Sequence, residues 1–373
     1  MPLPPLVEPV AELSAAERAR TARHARLAGF GELAQRRLRA AHVAVVGAGG
    51  LGSPVVLALA AAGVGTLTIV DDDVVELSNL QRQVIHRMRD AGEPKTASVE
   101  RVAAELSPET VVNAVTEHLD EGNAARILAG AHLVIDGTDT FATRTAVAAA
   151  CEHLGVPLVW GTVQGFDAQV TVFWSAPPAG APAVRLADLY PGDSVGELPT
   201  CSDVGVLGAF CLQVGALLAT EAVKLITGVG EPLLGRVLVL DALRARQSEV
   251  PLRAAAPRAP AAASVAPARP AIAQLGAEEA LAAQRAGATL LDVREPWETD
   301  GGVIPGSLLV PLAALLAEPA RAGTGPVVVV CAAGIRARTA AEALAASGIE
   351  ASVLTGGLAA WPGLVASPAG ASA

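Results

Sequence analysis

The stretch His42–Gly52, HVAVVGAGGLG, constrains this chain more than any other. Val43, Ala44, Val45 and Val46 form a short apolar run of the kind buried on both faces of a parallel sheet. Gly47, Gly49 and Gly52 then give G-x-G-x-x-G, with Gly50 inside it and Pro54 where a helix begins. In this spacing Gly47 permits a tight turn, Gly49 lets backbone approach a phosphate, and Gly52 lets helix and strand pack closely. The start of the following helix, through Val55 to Ala62, offers N–H groups to an anion. A second strand, Thr66–Val70, ends on Asp71, about twenty residues after the turn, where a ribose hydroxyl is met. Strand, turn, helix, strand and acid in this order predict a nucleotide-binding unit. They do not say which nucleotide.

Alternation continues beyond it. Val111–Val115, Leu133–Asp136, Pro157–Val163, Gln169–Trp174 and Gly235–Asp241 read as strands, and Glu121–Leu128, Thr143–His153 and Val204–Ile226 as helices. Such a pattern predicts an α/β fold with a doubly wound, mostly parallel sheet. Residues 11–40 are helical in composition and basic, and 175–200 form a Pro/Gly-rich loop. From Pro251 the chain turns to proline and alanine without periodicity, then alternates again. In the second pattern Leu290–Val293, Val327–Val330 and Ala351–Leu354 are strands and Ala337–Ala346 a helix. This gives a first domain over 1–248, a linker over 249–271, a small α/β domain over 272–366 and a tail over 367–373.

Composition narrows the setting. A net charge of −10 argues against a nucleic-acid partner. Apolar runs such as Val206–Leu218 are interrupted and short, so no membrane span is expected, and MPLPPLVEPV lacks the features of a signal peptide. The four cysteines (151, 201, 211 and 331) are scattered without a C-x-x-C pair, which suggests separate thiols in a reducing cytoplasm and no four-cysteine zinc site. Cys151 and Cys211 fall on apolar helical faces and read as core.

The loops supply chemistry. In DDDVVELSNLQRQVIH (71–86) and GEPKT (92–96), Arg82 and Lys95 can neutralise a triphosphate that leaves as pyrophosphate, while Asp139 at a strand's carboxyl end can hold magnesium. GAGGLG, the D-x-D-x-V-x-x-S-N-L-Q-R-Q run, G-x-P-K and D-G-T-D together resemble the MoeB/ThiF family over about residues 15–247. The resemblance implies a Rossmann-like fold, akin to ubiquitin-activating enzymes, that adenylylates the C-terminal Gly-Gly of a small ubiquitin-like sulfur carrier with ATP and Mg²⁺. Gly47, Gly49, Gly50, Gly52, Asp71, Asn79, Arg82, Lys95, Asp139 and Thr140 then form the nucleotide site, with Asp139 serving the metal. R-x-x-R-x-x-x-L (Arg20, Arg23, Leu27) matches the family's N-terminal element, whose second arginine reaches the partner subunit's ATP; this implies a homodimer with Arg23 acting in trans. Cys201, in PTCSDVGVLG, matches the cysteine that can link covalently to the carrier. Three features depart from the family. The two zinc-binding C-x-x-C pairs are missing near Ala183, Leu186 and 249–255, so no zinc is expected; Thr140 replaces the asparagine of T-D-N; and Gln164-Gly165 stands where an arginine is common.

In the second domain VVVVCAAGIRA (327–337) places Cys331 between a strand and a helix, where N–H groups stabilise a thiolate or persulfide, with Arg336 five residues on. C-x-x-G-x-R with D-V-R-E-x-x-E, I-P-G and G-G-x-x-A-W resembles rhodanese-type sulfurtransferases. Val303 replaces a histidine usual before I-P-G, and Ala332 a common basic residue, which favours a protein persulfide, such as one from a cysteine desulfurase, over thiosulfate as donor. The fusion resembles MoeZ-type adenylyltransferase–sulfurtransferases and implies a thiocarboxylate product for molybdopterin, thiamine or related sulfur transfer. Two other readings stay open on the residues alone: a degenerate nucleotide-binding scaffold, from Thr140 and Gly165, and an NAD-dependent oxidoreductase, from G-x-G-x-x-G and Asp71.

Overall fold

The computed structural model describes residues 3–191, 205–254, 272–299, 302–332 and 334–361. They fall into two compact units, Met1–Arg258 and Ala259–Ala373. The first is built on eight strands: β1 His42–Val46, β2 Thr66–Val70, β3 Val111–Val115, β4 Leu133–Asp136, β5 Leu158–Gln164, β6 Asp167–Phe173, β7 Arg236–Asp241 and β8 Arg246–Pro251. Their order is β3-β2-β1-β4-β5-β6-β7-β8, parallel through β5 and antiparallel beyond it. Strand order therefore reverses between β1 and β4, and the loops leaving these two strands diverge to opposite sides. A crevice opens between them.

Among the described residues the helices of this unit are α1 Ala15–Arg20, α2 Gly31–Ala40, α3 Gly52–Ala62, α4 Lys95–Leu106, α5 Ala124–Leu128, α6 Phe141–Leu154, α7 Leu186–Leu189 and α8 Gly208–Thr227. Successive residues of β1 serve opposite faces, which is why the run is apolar throughout. Val43 and Val45 join a core with Leu59, Ile69 and Leu218, whereas Ala44 and Val46 join one with Val134, Val147 and Trp160. Helix α8 continues past the apolar run Val206–Leu218 and covers most of the helix read as Val204–Ile226. By length and mean hydropathy (1.6) it is long and apolar enough to cross a membrane, yet 56% of that stretch is buried against the rest of the unit. Its neighbours include α3 and β5.

Two differences from the sequence reading have simple causes. The basic stretch 11–40 is broken by a 3₁₀ turn at His24–Arg26 and by Gly29 and Gly31, whose φ angles are +77° and +67°. Strand β8 carries the first unit through residues read as the start of the linker. All six of its residues are exposed at the sheet edge, so it has no apolar alternation to reveal it.

The second unit has five parallel strands, β9 Ala273–Leu275, β10 Thr289–Asp292, β11 Leu308–Leu309, β12 Val327–Val330 and β13 Ala351–Leu354, in the order β11-β10-β12-β13-β9. Its helices are α9 Ala277–Arg285, α10 Pro296–Thr299, α11 Leu312–Ala317 and α12 Ile335–Ala346. The all-valine β12 is buried along its whole length, and α12 follows it directly.

Gly52 tests the packing argument. A Cβ there would lie 1.8 Å from the Gly47 carbonyl oxygen, a backbone atom that cannot move aside, whereas a Cβ on Gly49 meets nothing nearer than the Gln83 amide at 3.7 Å. Gly52→Ala should therefore destabilise the first unit by about 3 kcal/mol or more, and Gly49→Ala hardly at all. Thermal unfolding of both variants checks this; equal midpoints would show that the helix–strand approach is not what requires Gly52.

Candidate functional site

The loop after β1 and the loop after β4 are pinned edge to edge. Gly47 N–H donates to the Val70 carbonyl and Gly137 N–H to the Val46 carbonyl, each at 2.8 Å. The crevice above them is a cavity of about 250 Å³ lined by Gly47, Gly49, Gly50, Asp71, Arg82, Lys95, Asp139 and Thr140. Eight residues picked from sequence thus meet in one place. Two others serve it from outside the lining. Gly52 lies below the loop, and Asn79 shapes the turn Leu77–Asn79: its Oδ1 accepts the Glu76 N–H at 3.1 Å, and its carbonyl accepts the Arg82 and Gln83 N–H groups. Asn79 presents Arg82 by folding the backbone that carries it.

Charge in the cavity is mixed. Asp71 Oδ2 accepts the Ala48 N–H at 2.7 Å and its Oδ1 the Asp73 N–H at 3.0 Å, so this acid fixes the glycine loop from below. Burial pushes the Asp71 carboxyl above the usual range, while the Lys95 ammonium, 3.8 Å away, opposes the shift. Lys95 is buried and donates to Asp73 Oδ2 at 2.6 Å. Asp73 is largely exposed, so that pairing is weak and a phosphate can replace it. Thr140 caps α6, accepting the Thr143 N–H at 3.3 Å, and so keeps the capping role that an asparagine would have.

The sequence reading missed Gln83, Arg144 and Cys211 in the lining. Gln83 is 4% exposed and its Oε1 has no hydrogen-bond partner among the described residues, an orphan that a ligand or its water shell would satisfy. Arg144 is buried, donates to the Thr138 carbonyl at 2.8 Å and lies over Trp160, 5.5 Å from the ring centre. Both had a signal: Gln83 follows Arg82 directly, and Arg144 stands one helical turn after Thr140. Cys211 is buried, as its helical face implies, but it also borders the cavity beside Gly50. Cys151 is buried in the core, and burial pushes its thiol well up.

Arg23 is exposed at the head of the turn His24–Arg26 and does not line this cavity. Cys201 lies outside the described residues. Among the described residues no three His, Cys, Asp or Glu side chains stand close enough to hold a metal by themselves.

In the second unit Cys331 directly follows β12 and is 2% exposed. Its Sγ accepts the Gly334 N–H at 3.1 Å and its carbonyl the Leu358 N–H at 2.8 Å. Arg336 makes a bidentate pair with Glu298, at 2.6 and 2.7 Å, which holds the Glu298 carboxyl below the usual range. The planar fork ties α12 to α10, and the Gly334 N–H is a donor aimed at Cys331 Sγ.

A crevice with two cations, Arg82 and Lys95, at the switch point of one sheet and a cysteine after the central strand of a second, parallel sheet mark one site suited to a nucleotide and another suited to sulfur chemistry. The chain belongs to the ThiF family, which it matches over residues 21–261, and residues 276–363 match the rhodanese-like domain. It is 40% identical to the probable adenylyltransferase/sulfurtransferase MoeZ of Mycobacterium tuberculosis, over 96% of each chain. It is 42% identical to a sulfur carrier protein adenylyltransferase of Thermus thermophilus, covering 59% of this chain and 81% of that one. The Escherichia coli enzyme MccB, solved with ATP, shares the fold at 20% identity with a TM-score of 0.53, over 65% of this chain and 73% of that one.

If Arg82 and Lys95 neutralise the triphosphate, Arg82→Ala and Lys95→Ala should each slow adenylyl transfer about a hundredfold, about 3 kcal/mol per missing charge. Pyrophosphate release measures it. Unchanged rates in both variants would place the charge-neutralising groups elsewhere.

Proposed function

We propose that this chain uses ATP to activate the C-terminal glycine of a small ubiquitin-like sulfur carrier, then converts the acyl-adenylate to a thiocarboxylate with sulfur borne on Cys331. The observation that carries this reading is the gathering of Asp71, Arg82, Lys95 and Asp139 around one glycine loop, in a chain that also holds the Cys331 loop. Similarity to MoeZ along nearly the whole length supports the pairing of the two chemistries.

In the first step a glycine carboxylate attacks the α-phosphorus and pyrophosphate leaves. Nucleophile and target are both anionic, so the work is charge neutralisation and in-line placement, and no general base is needed. Arg82 and Lys95 would meet the departing phosphates, Asp71 the ribose, and Asp139 a magnesium ion carried with the nucleotide. A neighbouring cavity of about 150 Å³ shares Asp139, Arg144 and Val163 with the first and runs along Thr162, Gln164 and Gln169. A glycine tail entering there would bring its carboxylate under the Arg144 guanidinium. Arg23 of a second protomer would complete the site in a homodimer.

In the second step the terminal sulfur of a Cys331 persulfide attacks the acyl carbon and AMP leaves. A thiol then attacks the Cys331 sulfur of the resulting acyl disulfide, releasing the thiocarboxylate and leaving a disulfide for a cellular dithiol to reduce. Cys201 is the thiol of this chain that the family resemblance sets near the carrier. Thr140 favours an active enzyme over a degenerate scaffold, because it preserves the cap of α6 beside Asp139. The carrier decides whether molybdopterin, thiamine or another pathway is served, and a reducing cytoplasm suits scattered cysteines without a C-x-x-C pair.

Pyrophosphate release that requires both ATP and a Gly-Gly carrier tests the first step; release without carrier, or none with any carrier, rejects it. Cys331→Ala should leave that release intact but abolish thiocarboxylate when sulfur arrives as a persulfide and no free sulfide is present. Mass spectrometry of the carrier reads both products, and wild-type thiocarboxylate from Cys331→Ala would remove the sulfurtransfer role. Arg23→Ala and Lys95→Ala subunits, each impaired alone, should regain part of the activity when mixed. Demonstrated heterodimers without recovery would reject Arg23 as a residue acting in trans.

A further inference from the structure

Beneath the glycine loop lies a buried imidazole that no step above uses. His86 closes the loop that carries Arg82, and it is 4% exposed. Its Nε2 stands 3.2 Å from the Ala48 carbonyl oxygen, in the middle of the glycine loop, and its Nδ1 stands 2.6 Å from Ser98 Oγ on α4. Its own N–H donates to the Gln83 carbonyl at 3.2 Å. The ring thus joins the glycine loop to the helix that begins at Lys95, while the backbone of His86 is bonded to the turn bearing Gln83 and Arg82. A carbonyl oxygen only accepts, so Nε2 must carry a proton. Ala48 is held from its other sides by Ser53 Oγ, which donates to the same carbonyl at 3.0 Å, and by Asp71.

From this arrangement we infer that His86 is a positioning residue for the nucleotide, a neutral ring in the Nε2–H form that fixes the spacing between the glycine loop and Lys95. The inference rests on the nucleotide reading of the cavity. Ser98 would then give its single hydroxyl proton to Nδ1, although the Lys95 carbonyl lies 3.0 Å from the same oxygen. Burial is the main cause that lowers the ring's pKa, to about 4; Lys95 and Arg101 act in the same direction, while the Ala48 carbonyl and Asp90 oppose them. The ring is therefore uncharged near neutral pH. It sets geometry and adds no cation to the phosphate site.

Two measurements on the full chain test this. Ring ¹⁵N shifts of His86 should report the neutral Nε2–H tautomer from pH 5.5 to 8; an imidazolium or an Nδ1–H ring in that range overturns the inference. ATP binding by calorimetry should then rank two polar variants. His86→Gln can still donate to the Ala48 carbonyl and should bind within about threefold of wild type, whereas His86→Asn reaches only toward Ser98 and should bind about tenfold more weakly. Equal affinities or the reverse order overturn the role of His86 alone. If wild type itself fails to bind ATP, the nucleotide reading falls and the inference with it.

Discussion

The first unit depends on a backbone contact at the end of β1. The helix that follows the glycine loop begins so close to the loop's own carbonyl that Gly52 has no room for a side chain. Because the strand end is also pinned by hydrogen bonds to β2 and β4, the loops leaving all three strands are forced to a single sheet edge. The cavity follows from that confinement: reversal of strand order sends the loops apart, and the space between them has no side chain to fill it. Asp71, Arg82, Lys95 and Asp139 are distant in sequence and converge because their loops have one place to go.

That site is not a plain pool of positive charge. Lys95 sits between Asp71 and Asp73, and Asp71 is occupied with two backbone N–H groups. A buried ammonium without a counter-charge would be costly, and the two carboxylates compensate it. Of the two, exposed Asp73 is the one a polyphosphate can displace at little cost, because water takes over the solvation of the released carboxylate. Buried Asp71 must stay, and its hydrogen bonds to Ala48 and Asp73 keep it in place. The second unit treats charge differently. Arg336 and Glu298 compensate each other, and the Gly334 N–H donates to Cys331 Sγ.

Much of this was legible in the sequence, but unevenly. The central strands stood out because burial on both faces demands unbroken apolar runs, as in Val43–Val46 and Val327–Val330. Edge strand β8 was invisible because an exposed edge imposes no pattern on its residues. Among site residues, those with unusual chemistry at fixed spacing were found: the glycines, Asp71, Arg82, Lys95 and Asp139. Gln83 and Arg144 were passed over because glutamine and arginine are commonplace on surfaces, and only burial in the lining gives them meaning.

The sequence by itself determined the chain's order of elements, the glycine turn, the strand-end cysteine and the family to which these belong. These are local facts, set by backbone sterics and by the periodicity of burial. Tertiary structure alone decided who partners whom. It set Asn79 Oδ1 on the Glu76 N–H, paired Arg336 with Glu298, and set His86 between Ala48 and Ser98. A side chain's partner depends on distances between segments far apart in the chain. Those distances exist only once the sheet has brought its loops to one edge.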